Sequence, residues 1–312
     1  MADINVTRDS KLIKVLAAQA KNERVDSDKA EEAAQIIAEL ASDMSPEHRH
    51  QIAQTMAYTI DELQQGQLDF LNQVADIKNV GYGDYAMFNV KMGDAKAVIQ
   101  AKGSTTPRFM VGGRQVKVDT QEISARPAIN IVDLRCGRVN MADLIREANQ
   151  EMTNRKIEKV EDVLHTAIQT YSTPFYATGT GVVQATLDAQ IQYFTRYGAV
   201  SLLGDIAAVG QLAPLTGMAM NSTTNQFSGN AIDEYHMNGF IGKYKGSDVL
   251  RMTNTYRYGE TTPILATDYI YIMANGLAAG ARNLKLVNEG NVNAIDSQSI
   301  DDMVFECRLD QW

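Results

Sequence analysis

Residues 140–171, NMADLIREANQEMTNRKIEKVEDVLHTAIQTY, decide how the rest of the chain is read. They predict one long, unbroken helix. Asn140 is a preferred N-cap, and Asp143 places negative charge in the first turn, where the helix dipole favours it. Apolar residues recur at helical spacing: Met141, Leu144, Ile145, Ala148 and Met152, then Ile157, Val160, Val163, Leu164, Ala167 and Ile168. The face expected to meet a core is Met141, Leu144, Ile145, Met152, Val160, Leu164 and Ile168. The stripe slips by one position between Met152 and Ile157, so this face turns around the axis. Glu151 and Arg155 stand four apart, the spacing of a favourable ion pair. Neither Gly nor Pro interrupts before Pro174. At 1.5 Å per residue the rod is about 45 Å long, well beyond the usual three or four turns. A rod of that length needs a surface to lie on. Taken alone, it is a long core helix or one half of a helical hairpin.

The surrounding chain has 312 residues, 45% of them hydrophobic and 21% charged, enough apolar mass for two or three cores. No apolar run approaches the length of a membrane span, so no membrane partner is expected. The first residues, MADINVTRDSKL, lack the apolar region of a signal peptide. Cys136 and Cys307 are far apart in sequence, and without a secretion signal both are expected to be buried, reduced and unpaired. A net charge of −9 argues against tight nucleic-acid binding by the surface as a whole.

Before the long helix the texture changes twice. Residues 1–78 read as helical throughout. A first helix holds Leu12, Ile13, Val15 and Leu16, and a second opens near Ser27 and runs to about Ser42. A third starts at Ser45-Pro46, an N-cap followed by Pro at the first helical position, and ends near Gly66. These helices are short and separate, which predicts an arm that packs on other elements. From Gly81 to Ile123 the chain is punctuated by Gly and alternates in pattern, as in Met87-Phe88-Asn89-Val90-Lys91-Met92 and Arg114-Gln115-Val116-Lys117-Val118. This reads as two strands joined by a turn-rich segment with Gly103, Pro107, Gly112 and Gly113. The result is a long hairpin with little apolar mass of its own, and an isolated hairpin is marginal in water.

The hairpin's charge is distinctive. Lys91, Lys96, Lys102, Arg108, Arg114 and Lys117 face only Asp94 and Asp119, a net of +4 that leaves −13 on the remainder of a −9 chain. A basic arm on an acidic body could dock on the acidic body of a neighbouring copy, or lie solvated without a partner. Phe109 is its one stacking aromatic, too little for a nucleic-acid groove. The candidate inter-subunit residues are Lys96, Lys102, Pro107, Arg108, Phe109 and Arg114.

Beyond Pro127, Ala128–Leu134 reads as a strand leading into the long helix. After it come a helix over Val182–Tyr197 closed by Gly198, a buried strand over Val200–Leu203, a helical turn over Asp205–Leu212 and a polar loop over Gly217–Gly229. Phe240–Tyr244 and Val249–Met252 form a hairpin, and Asp268–Ala274 and Met303–Leu309 are strands. Helices and strands interleave without βαβ regularity, which is the α+β class. No catalytic constellation emerges. His48 and His50 are two apart, on different helix faces, and read as surface histidines. His165 and His236 have no ligand cluster around them. Thr178-Gly179-Thr180-Gly181 has no following Lys-Ser/Thr, so the phosphate-loop pattern fails. Asp233-Glu234 and Asp301-Asp302 are adjacent, solvated acids rather than an acid–base pair.

The order of these parts resembles the tailed-bacteriophage major capsid proteins, with their Hong Kong 97 phage capsid fold. The resemblance centres on ISARPAINIVDLRCGRVNMADLI, Ile123 to Ile145, at the exit from the hairpin into the spine helix. Val182–Leu215 looks like the family's axial lobe, and Gly239-Phe-Ile-Gly-Lys-Tyr-Lys-Gly-Ser-Asp-Val-Leu250 like a hairpin within it. The likeness spans about Gly81 to Leu309. It implies an N-terminal helical arm over 1–78, an extended hairpin loop over 79–125, a peripheral domain with the spine over 126–175 and 265–312, and an axial domain over 176–264. It also implies a structural protein, not an enzyme, with no cofactor. Many copies would form hexamers and pentamers and close into an icosahedral virion shell around weakly contacted double-stranded DNA. Portal and scaffolding proteins would be partners during assembly in the host bacterial cytoplasm. The acidic arm, seven Lys/Arg against twelve Asp/Glu over residues 1–65, suits a shell that encloses DNA without gripping it. Some family members crosslink a hairpin Lys to a neighbour's Asn, but no pattern here matches, so that chemistry is not carried over. Because the sequence starts at Met1, removal of a leading scaffold segment is not expected. A cellular nanocompartment shell of the same fold is the alternative within this class. An α+β enzyme or small-molecule binder is the alternative outside it.

Overall fold

The computed structural model describes residues 10–64, 75–93, 111–171, 175–215, 237–257, 260–276, 282, 284–299 and 303–312. The chain opens with three helices: α1 (Lys11–Ala20), α2 (Ser27–Ser42) and α3 (Pro46–Gln64). Ser45 Oγ accepts from the His48 backbone N–H at 3.4 Å, and Pro46 is the first helical residue, as the sequence predicts. The third helix buries Ile52, Ala53, Met56, Ala57, Ile60 and Leu63, one continuous face.

Residues 1–78 are not helical throughout. β1 (Ala75–Val80) pairs in parallel with β10 (Leu284–Glu289), Ala75 opposite Leu284. Six residues of ADIKNV carry no period of their own; the ladder comes from a strand far along the chain, and tertiary context overrides local preference. The expected long hairpin is present: β2 (Ala86–Gly93) and β3 (Val111–Val118) pair antiparallel from Ala86–Val118 to Gly93–Val111. β4 (Ile123–Ala125) and β5 (Ala128–Asn130) both pair with β12 (Val304–Gln311), which also pairs with β11 (Asn293–Ser299). The strand expected over Ala128–Leu134 stops at Asn130. The Asn130 side chain accepts from the Val132 N–H at 2.8 Å and starts the short helix α4 (Ile131–Arg135). An N-cap outcompetes strand propensity at that point.

The spine helix, α5, runs over Met141–Gln169, and Asn140 accepts from the Ala142 N–H at 3.0 Å. Next come α6 (Gln184–Thr195), β6 (Gly198–Gly204), α7 (Ile206–Val209), α8 (Leu212–Leu215), β7 (Lys243–Tyr244), β8 (Ser247–Arg251) and β9 (Ile270–Gly276). Their sheet has the order β7-β8-β6-β9, with β6 parallel to β8 and antiparallel to β9. The sequence does not single out β10 and β11: β11 is largely polar, and every residue of β10 is only half-buried.

Three apolar clusters hold these parts together. The first joins all three arm helices to the spine's first half (Met141, Ile145, Ala148, Met152) and to Phe305, Cys307 and Leu309 of β12. The second joins the spine's second half (Ile157, Val160, Leu164) to Leu203, Met252, Leu265, Tyr271 and Met273. The third lies between α6 and the far face of the β6 sheet, with Leu187, Ile191, Val200 and Leu202. Val200 and Leu202 point into one cluster and Leu203 into another, so β6 is covered on both faces. Hence its mostly apolar run, interrupted only by the buried Ser201. Its last residue is Gly204, where a Cβ would lie 2.9 Å from the Tyr269 carbonyl oxygen.

Candidate functional site

The slip in the apolar stripe between Met152 and Ile157 is where the spine changes partners. Before it the helix faces the arm; after it, the mixed sheet. Of the seven predicted core residues, Met141, Ile145, Met152, Val160 and Leu164 are buried, and Leu144 and Ile168 are half-buried at the cluster edges. Val163 and Ala167 are exposed, so the stripe is narrower than the spacing suggests. Arg155 turns away from the expected Glu151 to Glu158, at 2.6 Å.

Polar residues on the spine make contacts that periodicity does not reveal. Asn154 accepts from the Thr255 hydroxyl at 3.0 Å, and Glu158 meets Arg257 at 2.5 Å. Glu161 is 9% exposed, and its carboxylate accepts from the Ala266 N–H at 3.3 Å and the Tyr271 hydroxyl at 3.2 Å. Burial pushes the Glu161 carboxyl above its ordinary value, against the pull of those two donors. Tyr271, buried beside this carboxylate, is pushed up as well. Together these contacts from three spine residues strap the segment between β8 and β9, and the start of β9, onto the spine. The signal in the sequence is a set of polar residues inside the buried stripe, Asn149, Asn154 and Glu161, each of which needs a partner.

The hairpin is fastened at its root. Glu289, at the end of β10, accepts from the Gly83 N–H at 2.8 Å before β2 and from the Thr120 hydroxyl after β3. One carboxylate thus clamps both legs, and these donors hold it below the usual carboxylate range. Gly83 sits at φ +84°, the left-handed turn that lets its N–H point there. The Lys78 ammonium donates to the Met87 carbonyl at 2.6 Å and lies 4.5 Å from the centre of the buried Phe88 ring. Tyr82 packs edge-on against Trp312 at 4.9 Å, and the Glu289 N–H bonds to the Trp312 carbonyl. Arg114 lies on β3 and is exposed. Lys96, Lys102, Pro107, Arg108 and Phe109 lie outside the described residues.

Among the described residues no group of three or more His, Cys, Asp or Glu could hold a metal ion. His48 bonds to the Asp43 carbonyl, His50 lies 3.5 Å from Asp296, and His165 stacks edge-on against Tyr269. Of the two thiols expected to be buried, Cys307 is, and burial pushes it up to about 12. Cys136 is exposed, because it caps the short helix α4 at the surface.

Residues 1–311 match the model of a family described as "SPbeta prophage-derived putative capsid protein YonB". Among solved structures the chain is similar to one from Microbacterium phage Oxtober96, at 12% identity over 77% of this chain and 82% of that one, with a TM-score of 0.49. It is similar to one from Mycobacterium phage Che8, at 16% identity over 72% and 78%, with a TM-score of 0.46. It is also similar to a virus-like particle from Pyrococcus furiosus, at 9% identity over 82% and 90%, with a TM-score of 0.45. No curated protein matches the chain.

Proposed function

The chain belongs to the YonB family of prophage-derived capsid proteins, and from that premise we propose that it closes into an icosahedral shell of hexamers and pentamers around double-stranded DNA. It is a structural protein, not an enzyme. In this reading residues 1–78 are an arm, 79–125 the hairpin that reaches a neighbouring copy, 126–175 with 265–312 a peripheral domain, and 176–264 an axial domain. Portal and scaffolding proteins join during assembly in the host bacterial cytoplasm, and the mature protein resides in the virion.

The observation that carries this reading is how the hairpin is mounted. Among the described residues its fastenings lie at the root, at Gly83, Phe88 and Thr120. From there eight-residue strands extend on each side, and the span from Lys91 to Asp119 carries net +4 against −13 on the remainder. Fastened at its root and opposite in charge to the body, such an arm is suited to a second copy. Lys96, Lys102, Pro107, Arg108, Phe109 and Arg114 are its proposed contact residues. DNA is contacted weakly, since the acidic body would repel phosphates.

Sedimentation and negative-stain microscopy of the purified protein test the reading. Closed particles are expected. A folded monomer at every salt and protein concentration overturns it. Replacing Gly93 to Gly113 with a short Gly-Ser turn should leave each subunit folded by circular dichroism while particles fail to form. Normal particles from that variant would remove the hairpin from the mechanism.

A further inference from the structure

We infer that the two ends of the β6 sheet form one head-to-tail contact between copies, in which Met237 and Ile206 of one copy pack on an exposed aromatic cluster of the next. The inference rests on the shell reading and names the surfaces through which its rings close. Tyr171 follows the last turn of the spine, and its ring lies 5.5 Å from that of Phe175. Phe175 stands edge-on to Tyr193 at 5.5 Å and to Phe194 at 6.0 Å, both on α6. Tyr193 continues the row to Tyr197 at 5.5 Å, with the two hydroxyls 3.1 Å apart. Phe194 packs on the third apolar cluster, whereas Tyr171 is 56% exposed, Phe175 40% and Tyr197 59%. An aromatic side chain offers about 150–250 Å², so these three leave roughly 300 Å² of contiguous surface, a size that marks contact sites on soluble chains.

This cluster flanks the start of β6, since Tyr197 immediately precedes Gly198. The far end of the same strand carries a second exposed apolar surface. Ile206 opens α7 just past Gly204 and is 43% exposed. Gly239 comes so close to it that a Cβ there would lie 3.4 Å from the Ile206 Cδ1 carbon. Two residues before Gly239 stands Met237, 84% exposed. At about 3.3 Å per residue β6 holds the two surfaces about 20 Å apart, so no chain can bring its own pair together.

The two surfaces are matched in chemistry. Methionine is unbranched and polarizable, and its sulfur makes favourable contacts with aromatic rings. Interface cores are enriched in aromatic residues and Met, and their rims are polar. Thr195 and Arg196, exposed beside Tyr197, supply such a rim. The partner is a second copy, because the chain belongs to a family of capsid proteins and carries both surfaces itself. Packing one aromatic cluster on another would cover one surface and leave Met237 in water. A head-to-tail contact covers both at once. Every copy then still offers one free end of each kind, so the contact repeats until it closes into a ring.

The test uses the full chain with Cys136→Ser, which leaves only the buried Cys307. Met237→Cys and Tyr197→Cys are introduced together and separately, and a bismaleimide too short to join the two positions within one chain is added. The double variant should give a ladder of crosslinked chains on denaturing gels that ends at a closed ring. An equal mixture of the two single variants should stop at dimers, and each alone should stay uncrosslinked. Dimers from Tyr197→Cys alone mean that aromatic clusters face each other, and overturn the inference. Particles by microscopy without a ladder overturn it and leave the shell reading standing; a ladder without closed particles keeps it and overturns the shell. Met237→Lys and Tyr197→Lys, both at exposed positions, should each lower the yield of sedimenting particles about tenfold or more, because each places an unpaired charge in the contact. Circular dichroism should stay unchanged. Met237→Lys combined with Tyr197→Glu should restore most of the yield. Normal yield from both lysine variants, or losses that simply multiply in the combined one, overturns the pairing.

Discussion

The two halves of the spine helix are one continuous element, yet they are held by different chemistry. The first half is packed mainly by apolar contact: Met141, Ala142, Ile145 and Met152 are each at most 4% exposed, against three arm helices and β12. The second half, from Asn154 on, buries fewer apolar side chains and adds the polar strap of Asn154, Glu158 and Glu161. Apolar packing is non-directional, and burial is the main tie between the arm and the first half, beside the single Arg146–Asn22 hydrogen bond there. Hydrogen bonds are directional, so the strap sets the angle at which the β6 sheet meets the helix. One half supplies stability and the other supplies geometry.

The strongest challenge to this contrast is to break the helix where its halves meet. Thr153→Pro sits between Met152 and Asn154, and an interior proline costs about 3 kcal/mol or more. Loss of soluble, assembling protein is expected, and expression with sedimentation checks it. Normal particles from the variant would mean the two halves are not one rod.

A smaller effect separates the halves directly. Met152→Ala should cost about 2–5 kcal/mol by chemical denaturation, near the top of that range because the site is fully buried. Leu164→Ala, at the rim of the second cluster and 9% exposed, should fall near the bottom. Equal losses would erase the distinction. Glu161→Ala should cost about 1–3 kcal/mol, because it leaves the Ala266 N–H and the Tyr271 hydroxyl unpaired. Because the folded-state value of Glu161 is raised, the folded chain binds this proton more tightly than the unfolded one. This group's contribution to stability therefore grows as pH falls toward the acid range and diminishes as pH rises through its folded value. Glu161→Gln should flatten that part of the pH profile.

The smallest expected effect is local, at the hairpin root. Glu289 has a depressed folded-state value, so its clamp is fully present above the ordinary glutamate range near 4.5 and is lost as pH falls through the folded value. Trp312 is the single tryptophan and packs on Tyr82 beside the clamp. Its fluorescence should change below about pH 4.5 in the wild type. Glu289→Gln should show the acid-state signal already at neutral pH. A pH-independent signal in the wild type would take Glu289 out of the mount.

The sequence by itself determined the parts that local rules build. The spine was readable to within two residues at each end, because helical hydrogen bonds and apolar spacing are both local and Asn140 marks the start. The slip at Met152–Ile157 even marked the change of core. The hairpin strands followed from alternation, and the arm helices from their caps and spacing. Only the tertiary structure decided what depends on distant partners. β1 is a strand solely because β10 lies beside it. Asn130 and Glu289 read as ordinary surface polar residues until the backbone groups they accept from are in place. Asn154 and Glu161 look like breaks in an apolar stripe, and become the strap once the chain has folded back to bring Thr255, Ala266 and Tyr271 against them. A buried polar group is satisfied by whatever the fold brings within about 3 Å, and no spacing along the chain encodes that distance.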